Sequence, residues 1–483
     1  MNAVPIALFW TLAVWGLLSR KPVLLYLFFA TMPVGAFAVI PTALTGGLTF
    51  TPTPIVSLLL IGRTFLDRKG PAAFLTLAVL PGRLMLLTLF WLVAAICTLF
   101  LPRLFAGAVM VVPIRGIVSA ASPLQPTAQN ISQFAYLSIS VFSVFAFARM
   151  LQPAAMRQHA LRAMALGGIV TVATGMLDYA SQFLPITPLL EPFRTASYSL
   201  LTDIEVLGGK RVVGLMPEAS AFGAQCLAFL SGLYFYRRAI VDDRLRDLQV
   251  PAAIGLLALC AWLSTSSGTL VGVAVFVCVA ALEWFARINA DERKHAVYRR
   301  GLGGEMSVTV LAVAAVAMLI LFQPQVLDPV YSLVQRMVLE KQSSSSFTER
   351  GMWRSTALAS LFQTYGFGVG LGSTRSSSSV VGVFSGTGLI GGALFYAFVL
   401  QCLLRRVRGA PAETQFILAA FRFSYIPPFV VSLMVGDADF GGMAAFGFGI
   451  VTAVTIAQGK PSRGNVRPAL EPASFERLTM KGA

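Results

Sequence analysis

Arg211 and Glu218 are the first residues in the chain whose types and spacing could support catalysis. They lie in the segment 210–220, where Pro217 suits the first turn of a helix and places Glu218 at its N-terminus. A guanidinium binds phosphate oxygens through paired hydrogen bonds, and a carboxylate can accept a proton from a hydroxyl group. A second interpretation is that Glu218 only complements the helix dipole and Arg211 only anchors the chain at an interface.

A second group of candidate residues lies in the stretch 322–379, the longest interruption between apolar segments. The residues SFTE at 346–349 fit a capping box and predict a helix start. Arg350 and Arg354 then lie four residues apart on one helix face, and Arg375 precedes the next apolar segment. These arginines could bind an anionic substrate, or the helix could lie on the membrane with its arginines on lipid phosphates.

Glycine occupies every second position of the sequence YGFGVGLG at 365–372. This spacing is not GxGxxG and follows no strand–helix unit, so it does not predict a dinucleotide site. Glycines allow close approach to the backbone, which makes Gly370 and Gly372 candidate substrate-binding residues.

Three aspartates lie in or between apolar segments. Asp178 falls within one, near its end, and an intramembrane carboxylate is a candidate for substrate contact or proton transfer. Asp437 and Asp439 fall between two apolar segments and are expected to form a solvated turn.

The remaining residue types argue against other kinds of site. The five cysteines lie in apolar segments without the spacing of metal ligands, and His159 and His295 fall in basic loops. We therefore expect no metal site and no cofactor. The net charge of +16 would suggest nucleic acid in a soluble protein. Here most of the excess is expected to mark membrane topology, so no nucleic-acid partner is expected.

The elements that must position these residues are membrane helices. Hydrophobic residues make up 56% of the chain and charged ones 12%, against roughly a quarter charged in soluble domains. Apolar runs of spanning length recur from end to end, which predicts an all-α polytopic membrane protein. We expect about thirteen transmembrane helices, within a range of roughly eleven to fourteen, in a single integral membrane domain over 1–483. The span 22–40 is expected to cross, and 71–81 to lie along the interface.

Loop charges set the orientation of these spans. Basic clusters such as the one at 237–238 mark inner loops. The N-terminus is then outside, and the tail 460–483 is cytoplasmic. We expect two outer loops on the extracytoplasmic side. They are the loop 185–217 and the large, partly helical loop 322–379, which contains an amphipathic helix. Arg211 and Arg350 are therefore expected on the same side.

Five motifs together resemble the bacterial O-antigen and exopolysaccharide polymerase and ligase superfamily. They are RVVGLMPEAS at 211–220, LSTSSG at 263–268, RGMW at 350–353, GFGVGLGS at 366–373 and TGLIG at 387–391. The resemblance covers about 208–404 in motif and the whole chain in topology. Each motif is degenerate, so their order and placement carry the resemblance.

The resemblance implies a metal-independent glycosyltransferase at the outer face of the bacterial cytoplasmic (inner) membrane. Polymerases of this kind move a growing glycan from undecaprenyl diphosphate onto the next lipid-linked repeat unit. The implied partners are the undecaprenyl-diphosphate-linked oligosaccharide, membrane lipids, and flippase and chain-length regulator proteins. The family's outer arginines match Arg211 and Arg350, with Arg375 a weaker match.

Combining residues and resemblance, we expect Arg211, Glu218 and Arg350 to be catalytic, with Glu218 as the first choice of proton acceptor. The expected substrate-binding residues are Arg354, Arg375, Gly370, Gly372 and Asp178, of which Asp178 is also the second choice of proton acceptor.

Three other functions stay open. A ligase would transfer the glycan to lipid A–core, although ligases typically carry a histidine in the large loop, which 322–379 lacks. A transporter of polysaccharide or lipid-linked sugar should carry charges through its span centres, and few are found. A scaffold for an assembly complex would not need clustered outer arginines.

Overall fold

The structure of this chain is a computed structural model. It describes residues 3–45, 49–114, 120–198, 200–202, 204–206, 209–289, 302–323, 345–407 and 409–458, with isolated positions at 325, 328, 331 and 335. Most of 324–344, inside the predicted loop 322–379, lies outside the described residues, as does the predicted tail 460–483.

The described residues form a bundle of α-helices joined by loops of very unequal length. The helices are α1 Ala3–Leu18, α2 Val23–Thr31, α3 Pro52–Leu66, α4 Gly70–Val79, α5 Met85–Leu104, α6 Ala128–Met150, α7 Ala154–Ala180, α8 Ala219–Tyr236, α9 Val250–Leu263, α10 Ser267–Ile288, α11 Leu302–Phe322, α12 Ser345–Gln363, α13 Ser379–Leu404, α14 Ala412–Val435 and α15 Gly441–Gln458. Among them, 7 are long and apolar enough to cross a membrane, and several shorter ones are apolar. By helix length and hydropathy this is a multi-pass membrane protein, which confirms the all-helical, polytopic part of the predicted fold.

The loops contain short strands and single helical turns. The strands form two antiparallel ribbons, β1 Met110–Val111 with β2 Ser122–Pro123 and β3 Glu205–Val206 with β4 Gly209–Lys210. A π-helical turn leads into α9, and the 3₁₀ turns are Thr42–Leu44, Thr187–Leu189, Glu191–Phe193 and Arg237–Ala239.

The bundle has two ends of different character. We call the end that holds the loops 105–127, 181–218 and 345–378 the loop end. At the opposite, basic end, arginine side chains bind carbonyl groups of neighbouring helix ends. Arg63 donates to the Gly16 and Ser19 carbonyls, each at 2.7 Å. The loop end therefore carries most of the predicted site residues.

Helix α2 stops well before the end of the predicted 22–40 span. Pro33 and Gly35 follow α2, and neither residue favours a continuing helix. The irregular backbone beyond them is paired with the loop 181–218: the Ala36 N–H donates to the Leu215 carbonyl at 2.9 Å. The span is therefore helical only in its first half.

Helix α4 begins and finishes at the basic end. Just before it, the Lys69 carbonyl accepts a hydrogen bond from Arg149 at 2.6 Å. Just after it, the Pro81 carbonyl accepts one from Gln401 at 2.7 Å. Both contacts are with the last residues of helices that cross the bundle. That 71–81 lies along the membrane interface stays a prediction.

An aromatic core joins α2, α6 and α15. Phe28 and Phe29 of α2 pack edge-on against Phe147 of α6 and Phe446 of α15, with ring centroids 5.1 Å apart in both contacts. All four side chains are fully buried. Edge-to-face pairs of this kind add about 0.5–1.5 kcal/mol each beyond area burial. They hold the short α2 in place without a longer helix.

Candidate active site at the loop end

Arg211 binds the turn between α9 and α10. Its Nε donates to the Ser264 carbonyl and the Thr265 hydroxyl, both at 3.1 Å, and its Nη2 donates to the Thr265 carbonyl at 3.3 Å. Thr265 has a positive φ of 45°, which turns its carbonyl towards the arginine. Burial lowers the pKa of the Arg211 guanidinium, and the nearby Glu218 carboxylate opposes that shift. The remaining N–H groups of Arg211 can still bind an anion.

Asp178 clamps the segment that carries Arg211. Its side chain is 0% exposed and accepts hydrogen bonds from the Val213 and Gly214 N–H groups at 2.7 and 3.0 Å. Its other carboxylate oxygen pairs with Arg194 at 2.7 Å. Arg194 also donates to the Gly214 carbonyl at 3.2 Å. With both oxygens occupied and no solvent contact, Asp178 is placed to position the loop, whereas the sequence favoured substrate contact or proton transfer.

Glu218 is the N-cap residue of α8. Its backbone is extended, its side chain makes no capping hydrogen bond, and its carboxylate accepts a hydrogen bond from the Ser220 hydroxyl. A parallel bridge to Leu201 holds the backbone at this position. The carboxylate therefore lies at the positive end of α8, as both predicted roles of Glu218 require.

Arg350 and Arg354 lie on α12. The Arg350 carbonyl accepts a hydrogen bond from Ser377 at 2.8 Å, which attaches α12 to the chain leading into α13. Arg350 is half-buried and Arg354 exposed. In the described part of the chain, neither guanidinium has a hydrogen-bond acceptor or ion-pair partner. Both charges are thus available to an outside ligand.

Arg375 is held by the protein itself. Its Nε and Nη2 donate to the Pro113 and Ile114 carbonyls at 3.0 and 2.5 Å. Its guanidinium also stacks over the Trp353 ring, 5.1 Å from the centroid. These contacts tie the loop 105–127 to α12. The arrangement favours a positioning role over the predicted substrate contact.

The backbone of the glycine run lies close to the backbone of α5 and α6. Gly368, Gly370 and Gly372 all have positive φ, and a Cβ on Gly372 would lie 2.4 Å from the Gln129 carbonyl of α6. A Cβ on Gly370 would lie 3.0 Å from the Cys97 carbonyl of α5. The close approach that the sequence predicted for a ligand is made by the protein's own helices. Gly370 and Gly372 therefore fix the run against α5 and α6.

Helix α14 connects the two groups of candidate residues. Gly268, in the turn region that Arg211 binds, lies against Val435 at the end of α14. Within the same turn of α14, the Ser432 hydroxyl is 2.9 Å from that of Ser379, the first residue of α13. Ser379 closely follows the serine that holds α12. The structure therefore brings the Arg211 and Arg350 segments to the same end of α14.

A cavity of about 320 Å³ lies between α8, α13, α14 and α15. Its lining includes Ala221 near the Glu218 end of α8, Ser379, and the aspartates Asp437 and Asp439. Sequence analysis placed both aspartates in a solvated turn. Asp437 is exposed there, but Asp439 is partly buried against the cavity. The signal that could have found Asp439 is a D-x-D pair between two apolar helices.

Within the described residues, no group of three or more histidine, cysteine or acidic side chains could hold a metal ion. No known protein-family profile matches this chain, and no curated protein sequence matches it significantly. The functional argument therefore rests on the geometry of the loop end.

Proposed function

We propose that this protein is a membrane glycosyltransferase that polymerises undecaprenyl-diphosphate-linked oligosaccharide units of an exopolysaccharide or O-antigen. The observation that carries the proposal is that the segments holding Arg211 and Arg350 meet at one end of α14, beside a cavity that Asp437 and Asp439 line. Arginines that keep free donors suit a diphosphate, and a carboxylate suits an attacking hydroxyl.

In the proposed topology about thirteen helices cross the bacterial cytoplasmic membrane, with the N-terminus outside and the C-terminus in the cytoplasm. The loop end then faces outward and the basic end inward. Arg149, Arg157 and Arg405 at the basic end agree with the tendency of inner loops to be basic.

The proposed reaction needs charge stabilisation and one proton transfer. Arg211 and Arg350 bind the donor's diphosphate and stabilise the charge that develops as the bond between the sugar C1 and the diphosphate oxygen breaks. The acceptor hydroxyl attacks C1, and a carboxylate that lines the cavity takes its proton. Holding donor and acceptor on one rigid helix end supplies the positioning.

The test is elongation by purified protein given lipid-linked repeat units, together with the Arg211→Lys and Arg350→Lys variants. We expect both variants to lose most activity, because lysine keeps the charge but lacks the planar fork. The matched control is Arg103→Lys, since Arg103 is exposed at the end of α5 and donates only within its own helix.

Three outcomes would contradict the proposal. Wild-type protein that makes no polymer from repeat units would remove the polymerase activity. Accumulation of finished lipid-linked polymer in a deletion strain would indicate a ligase, and accumulation of repeat units facing inward would indicate a transporter. Single repeat units facing outward are the expected result.

A further inference from the structure

The cavity at the loop end runs deep along α8. One face of α8, including Ala221, Ala224, Ala228 and Gly232, lines the cavity down to Tyr236. Fifteen residues of α-helix span about 22 Å, so the lining extends over most of the helix. Small side chains on α8 leave this space open, and aromatic rings from the facing helices close its other sides.

Two buried tyrosine hydroxyls lie in this cavity, each beside one serine. The Tyr236 hydroxyl lies near Ser424, and the Tyr396 hydroxyl lies near Ser379. Tyr236 is only 3% exposed. With these serines, the cavity wall carries hydroxyl groups that can contact a polar ligand.

Asp439 lines the cavity beside the middle of α6. Its carboxylate accepts a hydrogen bond from the Gly441 N–H at 3.2 Å, and Ser140 of α6 faces it. Burial raises the pKa of Asp439 to about 6, and the charge of Asp437 adds to the shift, against the hydrogen bonds from Ser140 and the backbone. A carboxyl group that titrates near neutral pH can both take and release a proton under physiological conditions.

No basic side chain neutralises Asp439 in the described lining. The titratable groups that line the cavity are the carboxyl of Asp437 and the hydroxyls of Tyr236, Tyr396 and Tyr425. Gln225 of α8, Ser379 of α13 and Ser432 of α14 supply the neutral polar groups. Asp178, by contrast, is paired with an arginine and two N–H groups.

We propose that Asp439 accepts the proton of the acceptor sugar's hydroxyl, and that this sugar enters the cavity. The inference rests on the proposed function. The hydroxyl oxygen forms a bond to the donor C1 as the bond from C1 to the diphosphate oxygen breaks, and the diphosphate leaves with the electron pair. The hydroxyl proton moves to the Asp439 carboxylate, which later releases it to water. Asp439 is then a catalytic residue that the sequence analysis passed over in favour of Glu218.

The test compares Asp439→Asn with Asp437→Asn and Glu218→Gln in purified protein, with repeat-unit elongation followed from pH 5 to 8. We expect Asp439→Asn to lower kcat by about 10²–10⁴-fold while KM for the lipid-linked unit changes little. Wild-type kcat should fall as pH drops through about 6, because the base is then protonated. The residual kcat of the Asp439→Asn variant should not decrease as the pH drops through about 6.

Two further variants test the assignment through the pH profile. Asp437→Asn should keep most activity. The midpoint at which kcat decreases should move to lower pH, because a charge that raises the pKa of Asp439 is removed. Ser140→Ala should move the fall to higher pH, because a hydrogen bond that lowers the same pKa is lost. A change in protein folding alone would not move the two midpoints in opposite directions.

The inference is overturned if Asp439→Asn elongates at a near-normal rate, or if the midpoint stays fixed in both neighbouring variants. If Glu218→Gln alone loses the activity and the pH-dependent fall, Glu218 is the base instead. Those results leave the proposed function standing so long as the wild-type protein elongates repeat units. If it does not, the proposed function fails and this inference with it.

Discussion

The change Asp178→Asn should loosen the segment that carries Arg211. Asparagine has nearly the same shape as aspartate but only one acceptor oxygen, so it cannot serve both the two N–H groups at 213–214 and Arg194. The asparagine NH₂ group then faces either Arg194 or the N–H groups at 213–214, so that two hydrogen-bond donors oppose each other. Arg194, whose side chain is only 5% exposed, then keeps as its ion-pair partner among the described residues only the exposed Glu191, 3.9 Å away. Removing one partner of a buried ion pair typically costs about 3–5 kcal/mol.

Hydrogen exchange measured by mass spectrometry on peptides covering 210–218 would detect this loss. If the cost falls on local opening of the segment, its exchange should accelerate by about a hundred- to several-thousand-fold. The matched control is Asp243→Asn, which makes the same chemical change in a pair with Arg246 whose aspartate is 74% exposed. Exposed pairs contribute about 0–1 kcal/mol, so the control should change little.

Unchanged protection of 210–218 in the Asp178→Asn protein would refute the clamp. A second check is the double variant Asp178→Asn with Arg194→Met, which removes the stranded charge and should recover part of the lost protection. If the double variant is as unprotected as the single one, the charge of Arg194 is not the cause. Activity gives a third readout. A positioning role predicts weaker binding of the lipid-linked unit without a change in the shape of the pH profile.

Two other predictions concern the fold. Gly368→Ala should destabilise the protein by more than about 1 kcal/mol, because Gly368 has φ +84° and a Cβ would lie 2.6 Å from the Ser385 carbonyl. Gly351→Ala in α12, where an added Cβ would meet nothing within 4 Å, should be neutral or stabilising, and thermal unfolding in detergent separates the two variants. In a Cys278→Ser background, Ser355→Cys should react with a membrane-impermeant thiol reagent in spheroplasts and Ala412→Cys should not. The opposite labelling would reverse the proposed orientation.

Composition and the lengths of apolar runs were sufficient to predict an all-helical, multi-pass protein. They overestimated α2, because Ala36 and Val39 lie in irregular backbone, where Ala36 is paired with the loop 181–218 and Val39 with Phe50. Hydropathy reports burial, and it cannot distinguish a buried helix from a buried loop whose hydrogen bonds are made by distant residues.

The sequence indicated which residues lie near the candidate site better than it indicated what each of them does there. Spacing placed Glu218 at the start of α8, which the structure retains, although Pro217 precedes the N-cap and is not in the first helical turn. It could not show that Arg375 binds carbonyls in the loop 105–127, or that Asp178 meets Arg194, because each contact joins residues set apart in the chain. Asp439 was passed over for the same reason, since its burial depends on α6 and α8 packing around it.

The glycine run also bears on how the protein could be re-engineered. The segment 366–372 is wedged between α5, α6 and α13, and Gly388 interrupts α13 with φ 70° to make room for it. A complete loop transferred from another protein would place a different segment between α5, α6 and α13, whose surfaces fit this glycine run. Exchanging only the exposed face of α12 leaves that joint intact. Exposed residues of α12 should therefore be exchangeable in small blocks, whereas chimeras joined inside the glycine run should fail to assemble.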